Sequence, residues 1–374
     1  MKKETIAIHS GMESDGTHGD VVPPIHKSTI FKHRKGKEGA AGYNYTRAGN
    51  PNRTQLEQQL AALESGSDAA AFSSGVAASS AVFQALEPGD HVLAPEDVYH
   101  GTRELLNELM RRWGLEINFV DMTDVGAVDR AMQDNTKLIW IESPSNPMLY
   151  ITDIGSVCEM AGDETEVCVD NTWPTPVNQR PLEFGADLVV HSTTKYLGGH
   201  SDVLGGAVIA ATSSNLYERI ESIQSMAGAV PSPSNCWLLS RSIRTLPYRV
   251  RAHNENARQL AEFLEAHSKI EEVYYPGLKS HDSYELARRQ MEGPGGMISF
   301  LVDGTEEEAK EVIWQSQLIT PATSLGGVES TWEHRLSSEG EGSQTPGNMI
   351  RISVGLEHVD DLASDLERAL GVLD

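Results

Sequence analysis

A single lysine set among small residues, just past a short apolar run, constrains this chain more than any other feature of it. Residues 186–202 read Ala-Asp-Leu-Val-Val-His-Ser-Thr-Thr-Lys-Tyr-Leu-Gly-Gly-His-Ser-Asp. Leu188, Val189 and Val190 form the kind of run that fills a buried parallel strand. His191, Ser192, Thr193 and Thr194 follow, then Lys195, then Gly198-Gly199. Gly205-Gly206 opens a second apolar run at 207–211. Open α/β sheets place ligand chemistry just beyond the carboxyl ends of their strands. Hydroxyls in such a place can bind phosphate oxygens, and small neighbours leave room for a flat ring. A lone lysine beside a turn is ordinarily a solvated surface residue. A second site upstream lifts this one above that: at 166–173, Glu-Val-Cys-Val-Asp-Asn-Thr-Trp, another apolar run ends in Asp170 and Asn171.

The pattern of a strand followed by a polar turn recurs along the chain. Apolar runs at 69–72, 117–120 and 138–141, with a turn and strand at 86–95, alternate with segments of helical spacing at 55–64 and 125–132, which gives a βαβ organisation. A helix from residue 54 is predicted to stop at Gly66, as at a cap glycine. Ser73-Ser-Gly-Val-Ala then reads as a strand, a small-residue turn and a helix start, with free backbone N–H groups aimed above the turn. Residues 1–55 hold Pro23-Pro24, a basic patch at 32–37 and glycines at 36, 39 and 42, and predict an extended arm with little helix. From Asn235 a long helical stretch, interrupted near Pro247, leads into a smaller α/β unit. Its strands are predicted at 273–275, 297–302 and 350–354, and its helices at 306–315 and 359–370. His253 reads as a packing or capping residue. The resulting division is an arm at 1–55, a large domain at 56–235, and a linking helix with a smaller domain at 236–374.

Charge narrows the functional classes. The 54 acidic and 30 basic residues give a net charge of -24, which disfavours nucleic acid and anionic membrane as partners. No apolar run approaches the roughly 18 residues of a membrane span. Three cysteines, Cys158, Cys168 and Cys236, have no metal-ligand spacing, so no metal site is expected and a reduced, cytoplasmic setting fits. Cys168, inside an apolar run, is expected in the core.

The Lys195 segment and the Asp170 segment together resemble the Cys/Met-metabolism family of enzymes that use pyridoxal 5'-phosphate (PLP). That family includes cystathionine synthases and lyases, homoserine sulfhydrylases and methionine γ-lyase. The likeness runs from Thr5-Ile-Ala-Ile-His-Ser-Gly to Arg351-Ile-Ser-Val-Gly-Leu-Glu, nearly the whole chain. It implies a type I PLP fold, with a large mostly parallel-sheet domain and a smaller C-terminal α/β domain. It makes Lys195 the lysine that carries the cofactor and Asp170 the partner of its pyridine nitrogen.

Further roles follow from the same resemblance. Gly75 and Val76, with Ser192 and Thr194, match the family's phosphate donors. Tyr99 matches the tyrosine that stacks on the ring and takes an acid–base role. Tyr43-Asn-Tyr45-Thr-Arg47 resembles the segment that reaches a neighbouring subunit's phosphate, so Tyr45 and Arg47 imply a homo-oligomer, a dimer of dimers. Asn52 stands where the family has threonine and is expected to cap the helix that follows. Asn146 and Ser324 match substrate or cofactor contacts, and Arg351 the arginine that grips the α-carboxylate of an amino-acid substrate.

Three departures bear on the substrate. Gly101 replaces the cysteine characteristic of methionine γ-lyases, which lowers that reading. Thr323 stands where synthases and γ-lyases often have glutamate. Trp332-Glu-His-Arg335 replaces a Thr-His-Ala-Ser-like passage, followed by a serine- and glycine-rich loop at 337–346. The expected activity is γ-elimination of cystathionine to cysteine, 2-oxobutanoate and ammonia. The alternatives are γ-replacement with cysteine, then cystathionine β-lyase or homoserine sulfhydrylase; a PLP-binding protein without catalysis is the contrasting class.

Overall fold

The computed structural model describes residues 1–13, 18–33, 42–162, 164–339 and 345–373. Most of the basic patch, the glycines at 36 and 39, and the centre of the serine–glycine loop lie outside those residues.

Seven strands form the larger sheet: β1 (Asp68–Phe72), β2 (His91–Pro95), β3 (Glu116–Val120), β4 (Thr136–Glu142), β5 (Glu166–Asp170), β6 (Leu188–His191) and β7 (Gly206–Ala210). Their spatial order is β1-β7-β6-β5-β4-β2-β3. All neighbours are parallel except β7, which runs antiparallel to both β1 and β6. Both faces are apolar and covered, as the near-continuous apolar runs require. Cys168 and Val190 belong to a core with Phe83 and Trp140 on one face, while Val167 and Val169 pack with Ile139 and Ile141 on the other.

Five further strands form the smaller sheet: β8 (Ile270–Tyr274), β9 (Met297–Val302), β10 (Thr320–Pro321), β11 (Thr331–His334) and β12 (Met349–Ser353). The order is β10-β11-β12-β9-β8, antiparallel apart from the β10–β11 pair. The helices Glu306–Gln315 and Val359–Leu370 cover it with Val312, Leu362 and Leu366. The helix Leu246–Glu265 connects the two units physically. Its Leu246 and Val250 join the large-domain core, and its Leu260 and Leu264 join the core of the smaller sheet. The helical stretch is broken at 244–245, between the helices Pro233–Ile243 and Leu246–Glu265, and Pro247 sits in the first turn of the second, where its missing N–H costs nothing.

Local details depart from the sequence reading. Lys3–His9 is helical and packs onto its own chain: Ala7 is fully buried and its carbonyl accepts from Gln59 Nε2 at 2.8 Å. Seven residues with one buried side chain carry too little periodicity to predict a helix. The helix Pro51–Glu64 is capped by Asn50, whose side chain accepts from the Asn52 N–H at 3.0 Å. Asn52 instead anchors the arm, accepting from the His26 N–H at 2.7 Å and donating to the Pro24 carbonyl at 2.9 Å. At the other end Ser65, not Gly66, takes the left-handed conformation, with φ 63°. Gly66 is required for a different reason, since a Cβ there would stand 2.5 Å from the Ile209 side chain. The loop expected from 337 begins as helix, Arg335–Glu339.

The C-terminal end of the helix Pro51–Glu64 also fixes the turns after β5 and β6. Buried Glu64 Oε1 is 2.5 Å from His191 Nε2 and accepts from Asn171 Nδ2 at 2.8 Å. Glu64→Ala strands two buried polar groups and is expected to cost about 3 kcal/mol or more. That loss should appear as a lower unfolding midpoint of the apoprotein in denaturant. Glu64→Gln keeps an acceptor and should lose roughly half as much or less; equal losses would contradict the role assigned to the hydrogen bonds.

Candidate active site

The carboxyl ends of β4, β5 and β6 lie side by side, because the strand registers pair Glu142 with Asp170 and Asp170 with Val190. This is the edge at which an open α/β sheet exposes side chains to a ligand. Asp170 Oδ1 accepts from the Thr172 N–H at 3.0 Å, and Thr172 Oγ1 accepts from the Ser192 N–H at 2.8 Å, so the two turns are stitched together. Burial holds the Asp170 carboxyl above its usual range, opposed by the Thr172 hydrogen bonds. Glu142 is pushed well above its range by burial and by Asp170 beside it, and it accepts from the Tyr99 N–H at 2.8 Å.

Lys195 is half-buried past the end of β6. Its ammonium donates to Ser324 Oγ at 2.8 Å. Burial, with a smaller contribution from Arg351, pulls its pKa down to about 8. Ser324 reaches it from the smaller sheet with φ 81°, a left-handed conformation that costs a non-glycine residue on the order of 1–3 kcal/mol. The loop is locked there by Gly326, which donates to Ser353 Oγ at 2.8 Å and whose Cβ would meet the Tyr196 backbone nitrogen at 2.6 Å. Thr323 is exposed beside Ser324.

A second element converges on the same place. The helix Gly75–Gln84 begins against Ser192: a Cβ on Gly75 would stand 2.7 Å from the Ser192 Cβ. Ser74 takes the N–H groups of Ala77 and Ala78, each at 3.1 Å. The N–H groups of Gly75 and Val76 have no acceptor among the described residues. Together with the Ser192 hydroxyl they form an anion cradle at a helix N-terminus. Thr194 Oγ1 exchanges hydrogen bonds with the Gly205 carbonyl at 3.2 Å and the Gly205 N–H at 3.1 Å.

Tyr99 is exposed at the start of the helix His100–Glu104, and partial burial together with Glu142 pushes its phenol above the usual range. A Cβ at Gly101 would stand 2.5 Å from that ring, so the glycine leaves Tyr99 room to lie where it does. Arg351, on β12, is buried and donates from Nη1 to Asn146 Oδ1 at 2.7 Å. Its guanidinium lies 5.6 Å over the Trp173 ring, and its Nη2 donates to Glu333. Burial, then Arg335, lowers the Arg351 pKa to about 10.

Lys195, Asp170, Ser192, Gly75, Val76, Tyr99, Ser324, Asn146 and Arg351 thus gather around one crevice between the two sheets. Tyr45 and Arg47 do not join them by any hydrogen bond or ring contact among the described residues. Both are exposed; Arg47 donates to the Ser225 carbonyl of its own chain and lies 5.8 Å over Tyr45. The sequence reading gave no role to Asp97, and it marked Glu333 and Arg335 only as part of the departing passage at 332–335. Asp97 fixes the Asn146 turn, accepting from the Ser145 hydroxyl and from the Met148 N–H at 3.1 Å. Glu333 faces Arg351 in the β11–β12 register. The alternation of Glu333 with Arg335 in a predicted strand would have been the signal, but no strand was predicted there.

Comparison with known proteins agrees with this geometry. A family model described as Cys/Met metabolism PLP-dependent enzyme matches residues 4–371. The cystathionine gamma-synthase of Mycobacterium tuberculosis is 44% identical over 375 residues, 98% of this chain and 96% of that protein. The cystathionine gamma-lyase of Bacillus subtilis is 44% identical over 384 residues, 99% of each chain. The crystal structure of metB from Corynebacterium glutamicum superposes with a TM-score of 0.97 at 43% identity, covering 100% of this chain and 99% of that one.

A lysine with a pKa of about 8 should react as a free amine at lower pH than an ordinary lysine at 10.5. In the apoprotein, reductive modification by a neutral aldehyde should therefore label Lys195 before the other lysines, with a rate that rises through pH 8 and levels off above it. First labelling elsewhere, or a midpoint near 10.5, would contradict the assignment.

Proposed function

The chain belongs to the Cys/Met-metabolism family of PLP-dependent enzymes, and on that premise we propose that it is a transsulfuration enzyme acting on a cystathionine-like amino acid, with γ-replacement as its main reaction. In that reaction cysteine displaces the activated oxygen of an O-activated homoserine and cystathionine is formed. The observation that carries the enzyme class is the convergence of Lys195, Asp170 and Arg351 on one crevice from two sheets.

The residues fit the cofactor. The Gly75 and Val76 N–H groups and the Ser192 and Thr194 hydroxyls suit its phosphate. Asp170 suits a protonated ring nitrogen: it is a carboxylate whose charge burial disfavours, with no cation within salt-bridge distance among the described residues. Tyr99 suits a place over the ring. When bound, PLP supplies an electron sink next to the substrate's Cα. A Lys195 amine with a lowered pKa is suited to take the proton from Cα and to return it further along the substrate. Arg351, oriented by Asn146, suits the α-carboxylate of the substrate, and Ser324 accepts from Lys195 Nζ and so can steady it between transfers. Thr323, exposed next to Ser324, is proposed to meet the substrate's distal end.

γ-Replacement needs room for a second amino acid. A cleft of about 1060 Å³, lined by Glu142, Asn146, Asp97, His100 and Tyr150, meets the crevice at Asn146, while Lys195, Asp170, Ser324 and Arg351 lie outside its lining. The likeness to mycobacterial synthases supports the same choice, and it moves γ-elimination, the first expectation from the sequence, to second place. Elimination remains the competing reading because the Bacillus subtilis lyase is as similar, and water can replace the thiol around the same residues. Tyr45 and Arg47, exposed on the arm, are proposed to complete the phosphate site of a neighbouring subunit in a homo-oligomer. A cytoplasmic setting is proposed as well; among the described residues no helix is long and apolar enough to cross a membrane.

The deciding experiment is product analysis of PLP-loaded protein offered O-activated homoserine with and without cysteine, and cystathionine alone. Cystathionine should form faster than 2-oxobutanoate is released from either substrate. Faster release of 2-oxobutanoate from cystathionine would make the lyase reading correct, and no turnover of any of them would remove both.

The shared site has its own test. Arg47→Ala and Lys195→Ala proteins, each inactive alone, should regain partial activity when their subunits are exchanged, since a hybrid dimer holds one intact site. Absence of recovery in hybrids verified by native mass spectrometry would place the arm's function within its own subunit.

A further inference from the structure

The passage that departs from the family pattern, 332–335, supplies two buried charges directly behind Arg351. The β11–β12 register sets Glu333 opposite Arg351. Glu333 Oε1 accepts from Arg351 Nη2 and, at 2.7 Å, from Arg335 Nη1; its Oε2 accepts from Ser338 Oγ at 2.8 Å. Arg335 Nη2 donates in turn to Glu339 at 2.5 Å. Arg351, Glu333 and Arg335 are 4%, 8% and 5% exposed, so water screens none of these charges well. The result is a row that alternates in sign: Arg351, Glu333, Arg335 and Glu339, the last of which lines the outer cleft.

Such a row poses a problem for an arginine that must bind a substrate carboxylate. Glu333 already occupies one arm of its guanidinium. A buried one-to-one pair has little field left for a second anion, and with Glu339 behind it the group would carry a net negative charge. Arg335 alters that balance by drawing on the same Glu333 oxygen. We propose that Arg335 is a positioning residue for substrate: by sharing Glu333 it keeps Arg351 available to the α-carboxylate of the incoming amino acid. This rests on the reading of Arg351 as the carboxylate-binding arginine. The direction of Arg335's effect on its neighbours agrees, since its charge lowers the proton affinity of both Lys195 and Tyr99 and therefore reaches the crevice.

The test measures equilibrium binding of two small amines to the PLP-loaded protein by the change in cofactor absorbance: glycine, which has a carboxylate, and methylamine, which has none. Wild-type protein should prefer glycine. Arg335→Ala should weaken glycine by about tenfold or more while leaving methylamine and PLP retention within about threefold. With the substrate that turns over, the loss should fall on KM more than on kcat. Glu333→Gln alone should bind glycine as well as wild type or better, and this variant does not depend on Arg335→Ala folding. The double variant should regain glycine affinity to within about threefold of wild type, because the unshared acid is gone. A purely structural Arg335 would weaken both amines and would not be rescued by Glu333→Gln. Unchanged glycine binding in Arg335→Ala, weaker binding in Glu333→Gln, or a double variant as weak as Arg335→Ala overturns the inference alone. A wild-type protein that does not distinguish glycine from methylamine overturns the reading of Arg351, and the inference with it.

Discussion

Two hydrogen bonds across the crevice make one site out of two sheets. Arg351 of the smaller sheet donates to Asn146 after β4, and Lys195 after β6 donates to Ser324 of the smaller sheet. Each partner is positioned by its own element and is useless without the other. The strand ends set Lys195 and Asp170 side by side, yet Arg351 and the serine that accepts from Lys195 come from more than a hundred residues further along. Trp173 and the helix Leu246–Glu265 hold the two sheets at this spacing, since the helix has apolar residues in both cores. Displacement of the smaller sheet by even 1 Å would loosen both bonds together, and positioning on that scale governs reactivity.

Burial acts on the two central ionisable groups in opposite directions with one physical cause. Removing water disfavours charge, so Asp170 keeps its proton to a higher pH and Lys195 gives its proton up at a lower one. Neither change stabilises the empty protein. Each is what a ligand with a cationic ring nitrogen and an electrophilic carbon can exploit: the nitrogen restores the Asp170 charge, and the carbon finds a lysine that is already partly a free amine. The anion cradle at the helix Gly75–Gln84 completes the complement with two N–H groups that have no acceptor of their own among the described residues.

Much of this was legible in the sequence, and the parts that were not share a reason. Short apolar runs ending in polar turns located β1 to β7 and hence the edge where Lys195 and Asp170 meet, because a strand covered on both faces leaves only its ends for chemistry. Periodicity placed helices near residues 306–315 and 359–370, where Glu306–Gln315 and Val359–Leu370 are helical. It failed at Lys3–His9, where seven residues bury one side chain, and at Thr331–His334, where a strand of four residues carries Glu333. The caps of Pro51–Glu64 were misplaced by one or two residues, since Asn50 and Asn52 are the same residue type and Ser65 tolerates a conformation expected of Gly66. Asp97 was invisible for a different reason. Its partners, Ser145 and Met148, become neighbours only when β2 and β4 pair.

The buried row from Arg351 to Glu339 shows where a family pattern stops being informative. A motif identifies Arg351 by its own flanks, but the field that a substrate meets depends on what stands behind the guanidinium. Here that is a glutamate and a second arginine, from a passage that departs from the usual sequence. Arg335 lies one strand away from the crevice and need touch no substrate to matter, because two cations competing for one carboxylate oxygen in a poorly screened interior share its charge between them. On the proposed reading of Arg351, selectivity for an α-carboxylate would reside in three side chains, not one.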